Sequence, residues 1–129
     1  LAARLAALRQ ALATRIRALV PDAVLHGGTT PASQAPHVLS LSIPGTDSEA
    51  MLMHLDLAGI ACSAGSACNT GAAEPSHVLT AMGVPPALGL AALRFSFGRT
   101  SSAADVEAVA AVLPRIVEKV RSLSAILHR

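Results

Sequence analysis

The sequence predicts a two-layer α+β domain, a small and mostly antiparallel sheet with helices packed on one face. Three observations point there. Both ends of the chain repeat apolar residues at helical spacing. Two central stretches, His37–Ile43 and Leu93–Phe97, read as strands. The order helix, strands, helix, strand, helix, strand, helix suits such a sheet. With 129 residues the chain can bury a real core, and no repeat, low-complexity tract or long linker divides it. Residues 1–129 are expected to form a single domain.

Leu1, Leu5, Leu8, Leu12, Ile16 and Leu19 place a helix over residues 1–19, with Arg4, Arg9, Arg15 and Arg17 on a helix face and Pro21 as its stop. Val24–His26 is a short strand ended by Gly27-Gly28, and residues 29–36 read as a loop. In His37–Ile43 the apolar Val38, Leu39 and Leu41 give way to Ser40 and Ser42, as in a half-buried strand. Thr46-Asp47-Ser48-Glu49 has a capping-box pattern, which predicts helix 47–58 ended by Gly59. Ile60–Cys62 reads as a short strand entering a glycine-rich loop. Pro75 suits the first position of a helix running to Met82, with Gly83 as its stop. Pro85-Pro86 allows a short turn or helix. Ser101 or Ser102 is expected to cap a last helix with the stripe Val106, Val109, Leu113, Ile116, Val120, Leu123 and Leu127, kinked or split at Pro114.

Hydrophobic residues make up 52% of the chain and charged ones 14%, which argues against disorder. No apolar run reaches the roughly 18–20 residues of a membrane span. The arginine-bearing first helix does not read as a signal peptide. A net charge of +2, with only Phe95 and Phe97 as aromatics and no basic run, argues against nucleic-acid binding. Two cysteines without a signal segment point to a reducing compartment, the cytoplasm.

Residues 61–75 read Ala-Cys-Ser-Ala-Gly-Ser-Ala-Cys-Asn-Thr-Gly-Ala-Ala-Glu-Pro. Such small residues anchor no core, so this segment is expected to be a mobile, exposed loop. A helix starting at Pro75 would bring a positive dipole end towards Cys68 and favour its thiolate. Composition alone leaves two readings of Cys68 open, a reactive thiol and an inert small residue. Cys62 and Cys68 are separated by five residues, unlike zinc-ligand spacing, and no second pair completes a tetrahedral set, so no metal is expected.

The segment Gly59-Ile60-Ala61-Cys62-Ser63-Ala64-Gly65-Ser66-Ala67-Cys68, followed by Glu74-Pro75-Ser76-His77-Val78-Leu79, closely resembles the active-site region of NifS/IscS-type cysteine desulfurases. Leu93-Arg94-Phe95-Ser96-Phe97-Gly98-Arg99-Thr100 and Val38–Gly45 are similar to that family's flanking landmarks, in register. The family belongs to the class V aminotransferase group of fold-type I pyridoxal-phosphate enzymes. The resemblance implies that Cys68 is the nucleophile that takes sulfur from cofactor-bound L-cysteine, leaving alanine and an enzyme persulfide. It implies that Arg94 binds the substrate carboxylate, which suits a planar guanidinium. Ser66 and His77 are carried over as supporting neighbours, with proton transfer as the alternative role of His77. Cys62 reads as a passive neighbour, and Pro36-His37 departs from an asparagine-containing pattern.

The larger departure is the family's big cofactor-binding domain. Lys119, the one lysine, falls in the last helix, where no Schiff-base pocket is expected. The chain therefore reads as a C-terminal small domain that holds no covalent cofactor and is inactive alone. The expected partners are the large domain, in the same or a separate chain, L-cysteine, a sulfur-acceptor protein such as an iron–sulfur scaffold or a thiouridine-pathway protein, and a second copy in a homodimer. Two alternatives stay open: a selenocysteine lyase or other class V transferase, and a non-catalytic sulfur-relay or protein-contact module.

Overall fold

The computed structural model describes residues 1–27, 37–64, 66–69, 72–75 and 83–127, with the backbone alone for 66–69 and 72–75. Among these residues the chain runs α1 (Ala2–Leu19), β1 (Val24–Leu25), β2 (Val38–Ser42), α2 (Ser48–Leu57), β3 (Ser63–Ala64), β4 (Ser66–Asn69), β5 (Ala72–Pro75), α3 (Pro86–Gly89), β6 (Ala92–Ser96) and α4 (Ala103–Leu127). An antiparallel four-stranded sheet has the order β1-β2-β6-β3, and β4 and β5 form a separate hairpin. This is the expected two-layer α+β architecture.

Strand alternation builds the core. Leu39 pairs with Phe95 and Leu41 with Leu93, so all four project from one face, and all are buried. Against them pack Leu12 and Ile16 of α1, Met51 and Leu55 of α2, and Val106, Leu113, Val117 and Val120 of α4. Each such side chain contributes about 1.5–3 kcal/mol on leaving water.

The local signals that position the site lie at the two ends of α2. Asp47, not Thr46, caps it, accepting from the Ala50 N–H at 2.9 Å; the Thr46 hydroxyl instead donates to the Ile43 carbonyl. At the other end Gly59 takes φ +84°. The Gly59 N–H then reaches the Asp56 carbonyl and the Ile60 N–H the Leu55 carbonyl, each at 2.9 Å. That pair of bonds closes the helix and directs the chain towards β3.

Several expectations are corrected. The segment around Cys68 is not an irregular loop: its backbone forms the β4–β5 hairpin, with Cys68 paired to Ala73. Pro75 does not begin a helix but ends β5 opposite Ser66, a place open to proline because an end of a two-stranded ribbon needs no further N–H. The rest of the expected helix, with His77, lies outside the described residues. The strand predicted at Ile60–Cys62 sits later, at Ser63–Ala64.

α4 runs unbroken through Pro114, because apolar side chains on both sides of the proline are buried in one core. Burial of its stripe ends at Val120, and Leu123 and Leu127 are exposed. At its start neither serine hydroxyl caps a helix amide; the Asp105 carboxylate accepts from the Ser102 N–H at 2.8 Å.

Arg9 is not on a solvated face. It is buried, and its Nε donates to the Val38 carbonyl at 2.7 Å. Burial, then the charge of Arg17, lowers its pKa.

Candidate functional site

The alternation that turns Leu93 and Phe95 into the core turns Arg94 to the opposite face, where it is exposed. β6 is flanked by β2 and β3, and the register pairs Arg94 with Ser40 on one side and Ser63 on the other. Cross-strand partners of this kind have Cβ atoms about 4.5–5.5 Å apart. A guanidinium thus stands between two hydroxyl-bearing residues. No hydrogen bond or ion pair joins its side chain to another described residue. Arg4, Arg9, Arg15 and Arg121, by contrast, all have partners within the fold.

His26 extends the same row by one strand, since its backbone N–H donates to the Ser40 carbonyl at 2.9 Å. Its ring turns to the fully buried Ser42, with Nε2 2.6 Å from Oγ. The Ser42 hydroxyl donates in turn to the Leu88 carbonyl at 2.6 Å. With that proton committed, Oγ accepts from Nε2–H, which fixes the tautomer. Burial lowers the pKa of His26, so the neutral ring is favoured. In the sequence the alternation of Ser40 and Ser42 is the signal for this contact, and it needs the strand register to be used.

Of the residues predicted for the site, the structure brings Arg94 next to the segment that carries Ser66 and Cys68, because Ser63 pairs with Arg94 five residues before Cys68. Ser66 pairs with Pro75 and Cys68 with Ala73; their side chains, and all of His77, lie outside the described residues. Cys62 is half-buried and packs against the core. Burial pushes its thiol up to about 11, so at neutral pH it is a poor nucleophile.

Two further classes of chemistry can be weighed. No group of three or more His, Cys, Asp or Glu able to hold a metal ion exists among the described residues. Lys119 is exposed on α4 beside the equally exposed Glu118, an environment that does not fit a lysine holding pyridoxal phosphate, which needs an enclosed pocket. No helix among the described residues is long and apolar enough to cross a membrane.

Residues 1–109 match the family model Aminotransferase class-V. An IscS-like cysteine desulfurase of Mycobacterium tuberculosis is 44% identical over 119 residues, covering 92% of this chain and 30% of that protein. A cysteine desulfurase of Klebsiella pneumoniae is 39% identical over 117 residues, covering 91% and 29%. Among solved structures, a NifS-like protein from Rickettsia africae superposes with a TM-score of 0.74 at 26% identity, covering 91% of this chain and 29% of that one. The chain thus spans under a third of the length of these relatives.

Proposed function

The chain belongs to the aminotransferase class-V family, and on that premise we propose that it carries the sulfur-accepting segment of a cysteine desulfurase. In this reading Arg94 holds the carboxylate of L-cysteine. The Cys68 thiolate attacks the substrate sulfur: a sulfur–sulfur bond forms, the carbon–sulfur bond breaks with its electron pair left on carbon, and that carbon takes up a proton to leave alanine and a persulfide on Cys68. Pyridoxal phosphate belongs to a large domain, in the same or a separate polypeptide, because Lys119 does not suit it. Ser66 and His77 support the cysteine. The complete enzyme is a cytoplasmic homodimer that hands its sulfur to an acceptor protein, such as one assembling iron–sulfur clusters.

One observation carries the reading: the pairing of Ser63 with Arg94, which tethers the start of the cysteine-bearing segment beside an uncommitted guanidinium. The two desulfurases above, similar over nine-tenths of the chain, support it. The exposed Lys119 favours a second reading for the chain acting alone, a module that relays sulfur without generating it.

The test is mass spectrometry after incubation with L-cysteine, with and without the cofactor-bearing domain. A gain of one sulfur on Cys68, dependent on that domain and lost in Cys68→Ser but not in Cys62→Ser, is expected. Sulfur accumulating on Cys62 instead would overturn the assignment.

A further inference from the structure

The serines around the middle of the sheet differ in what their hydroxyls do. Ser42 donates to the Leu88 carbonyl and Ser48 to the Leu90 carbonyl, each at 2.6 Å. Both are buried and spent on holding the α3 region against the sheet. Ser40 and Ser63 have no side-chain hydrogen bond to another described residue, and they are the two positions paired with Arg94. The ring of His26, whose backbone N–H donates to the Ser40 carbonyl, is turned to Ser42. Three uncommitted polar side chains therefore stand side by side in one row, the cation in the centre.

A carboxylate offers about four lone-pair sites, and a guanidinium fork uses two of them, one on each oxygen. The remaining two project outward on either side of the fork, where hydroxyls from neighbouring strands can donate. We infer that Ser40 and Ser63 complete the carboxylate seat of Arg94, each donating to one carboxylate oxygen. This rests on the reading of Arg94 given above and extends it to two residues that fix the ligand's orientation in the plane of the sheet. The occupant is the carboxylate of a free α-amino acid. A carboxamide places N–H groups against the guanidinium donors and is rejected.

Nuclear magnetic resonance of the isotope-labelled 129-residue chain tests this, with L-alanine as probe and L-alaninamide as control. The backbone amide of residue 63 and the Arg94 Nε–H are followed. Both signals should move with L-alanine and stay fixed with L-alaninamide. Ser40→Ala and Ser63→Ala should each weaken the L-alanine response about three- to tenfold, the range for a lost hydrogen bond, with the remaining amide spectrum unchanged. Ser63→Thr, which keeps the hydroxyl, should restore it, and Arg94→Gln should abolish it at residue 63. Two alanine variants that bind as the unsubstituted chain does, while Arg94→Gln does not bind, would sink the inference and leave the Arg94 reading standing. An unsubstituted chain that ignores L-alanine, or answers both probes alike, would remove the carboxylate seat altogether.

Discussion

The two faces of the sheet obey opposite rules although the same strands make them. On the helix side, Leu39, Leu41, Leu93 and Phe95 are almost wholly withdrawn from water. On the other side, one residue out of step, Ser40, Arg94 and Ser63 face outward with no described partner. Position along the strand decides which half of β6 keeps the fold and which is free for a ligand. The lesson is that stability and binding can be changed here by neighbouring residues with almost no cross-talk.

The sharpest way to break that comparison is to substitute adjacent residues of β6. Leu93→Ala should cost about 2–5 kcal/mol in urea unfolding, as buried leucines do. Arg94→Gln should stay within about 0.5 kcal/mol. An Arg94 variant as damaging as Leu93→Ala would mean that the open face is part of the core after all.

The two cysteines extend the comparison along the chain. With its thiol at about 11 against an ordinary 9.0, Cys62 holds roughly a hundredfold less thiolate at pH 8 than a free cysteine. Alkylation by iodoacetamide should therefore mark Cys68 well before Cys62, read by peptide mass mapping. The same shift makes stability fall as pH rises above 9.0, where the unfolded chain loses the thiol proton that folded Cys62 keeps.

A smaller effect separates two serines of one strand. Ser42→Ala leaves the His26 Nε2–H without its acceptor and should cost about 1–3 kcal/mol, while Ser40→Ala should leave stability within about 0.5 kcal/mol. Smallest of all is the pH response of His26. Its folded pKa lies below 6.5, so the unfolded chain binds the proton more readily. Stability should be complete above 6.5 and decline as pH falls below it, and His26→Asn should flatten that decline in thermal melts.

Much of this organisation is legible in the sequence wherever a periodic apolar pattern exists. Leu5, Leu12 and Ile16 announce α1, Leu39 and Leu41 announce β2, and Val106 to Val120 announce α4. The hairpin was not legible. Its strands, Ser-Ala-Cys-Asn and Ala-Ala-Glu-Pro, carry none of the β-branched or aromatic signal by which strands are recognised, and Pro75 satisfies the rule for a helix start as well as for a strand end. For Arg9, burial of the aliphatic stem and the bond from Nε to the Val38 carbonyl outweighed its charge. Arg94 could be singled out by resemblance, whereas Ser40 and Ser63 could not. A register is a relation between distant segments, and no local pattern encodes it.

The placement of β6 in the middle of the sheet has a consequence in time. Its pairs with β2 span from 50 residues, Ser42 to Ala92, up to 58, Val38 to Ser96. Contacts of that sequence separation close late, because the entropy of bringing the ends together must be met before any pairing is gained. A chain still emerging from the ribosome holds Ser40 and Ser63 well before Arg94 exists to stand between them. The row is thus absent from every folding intermediate that lacks β6.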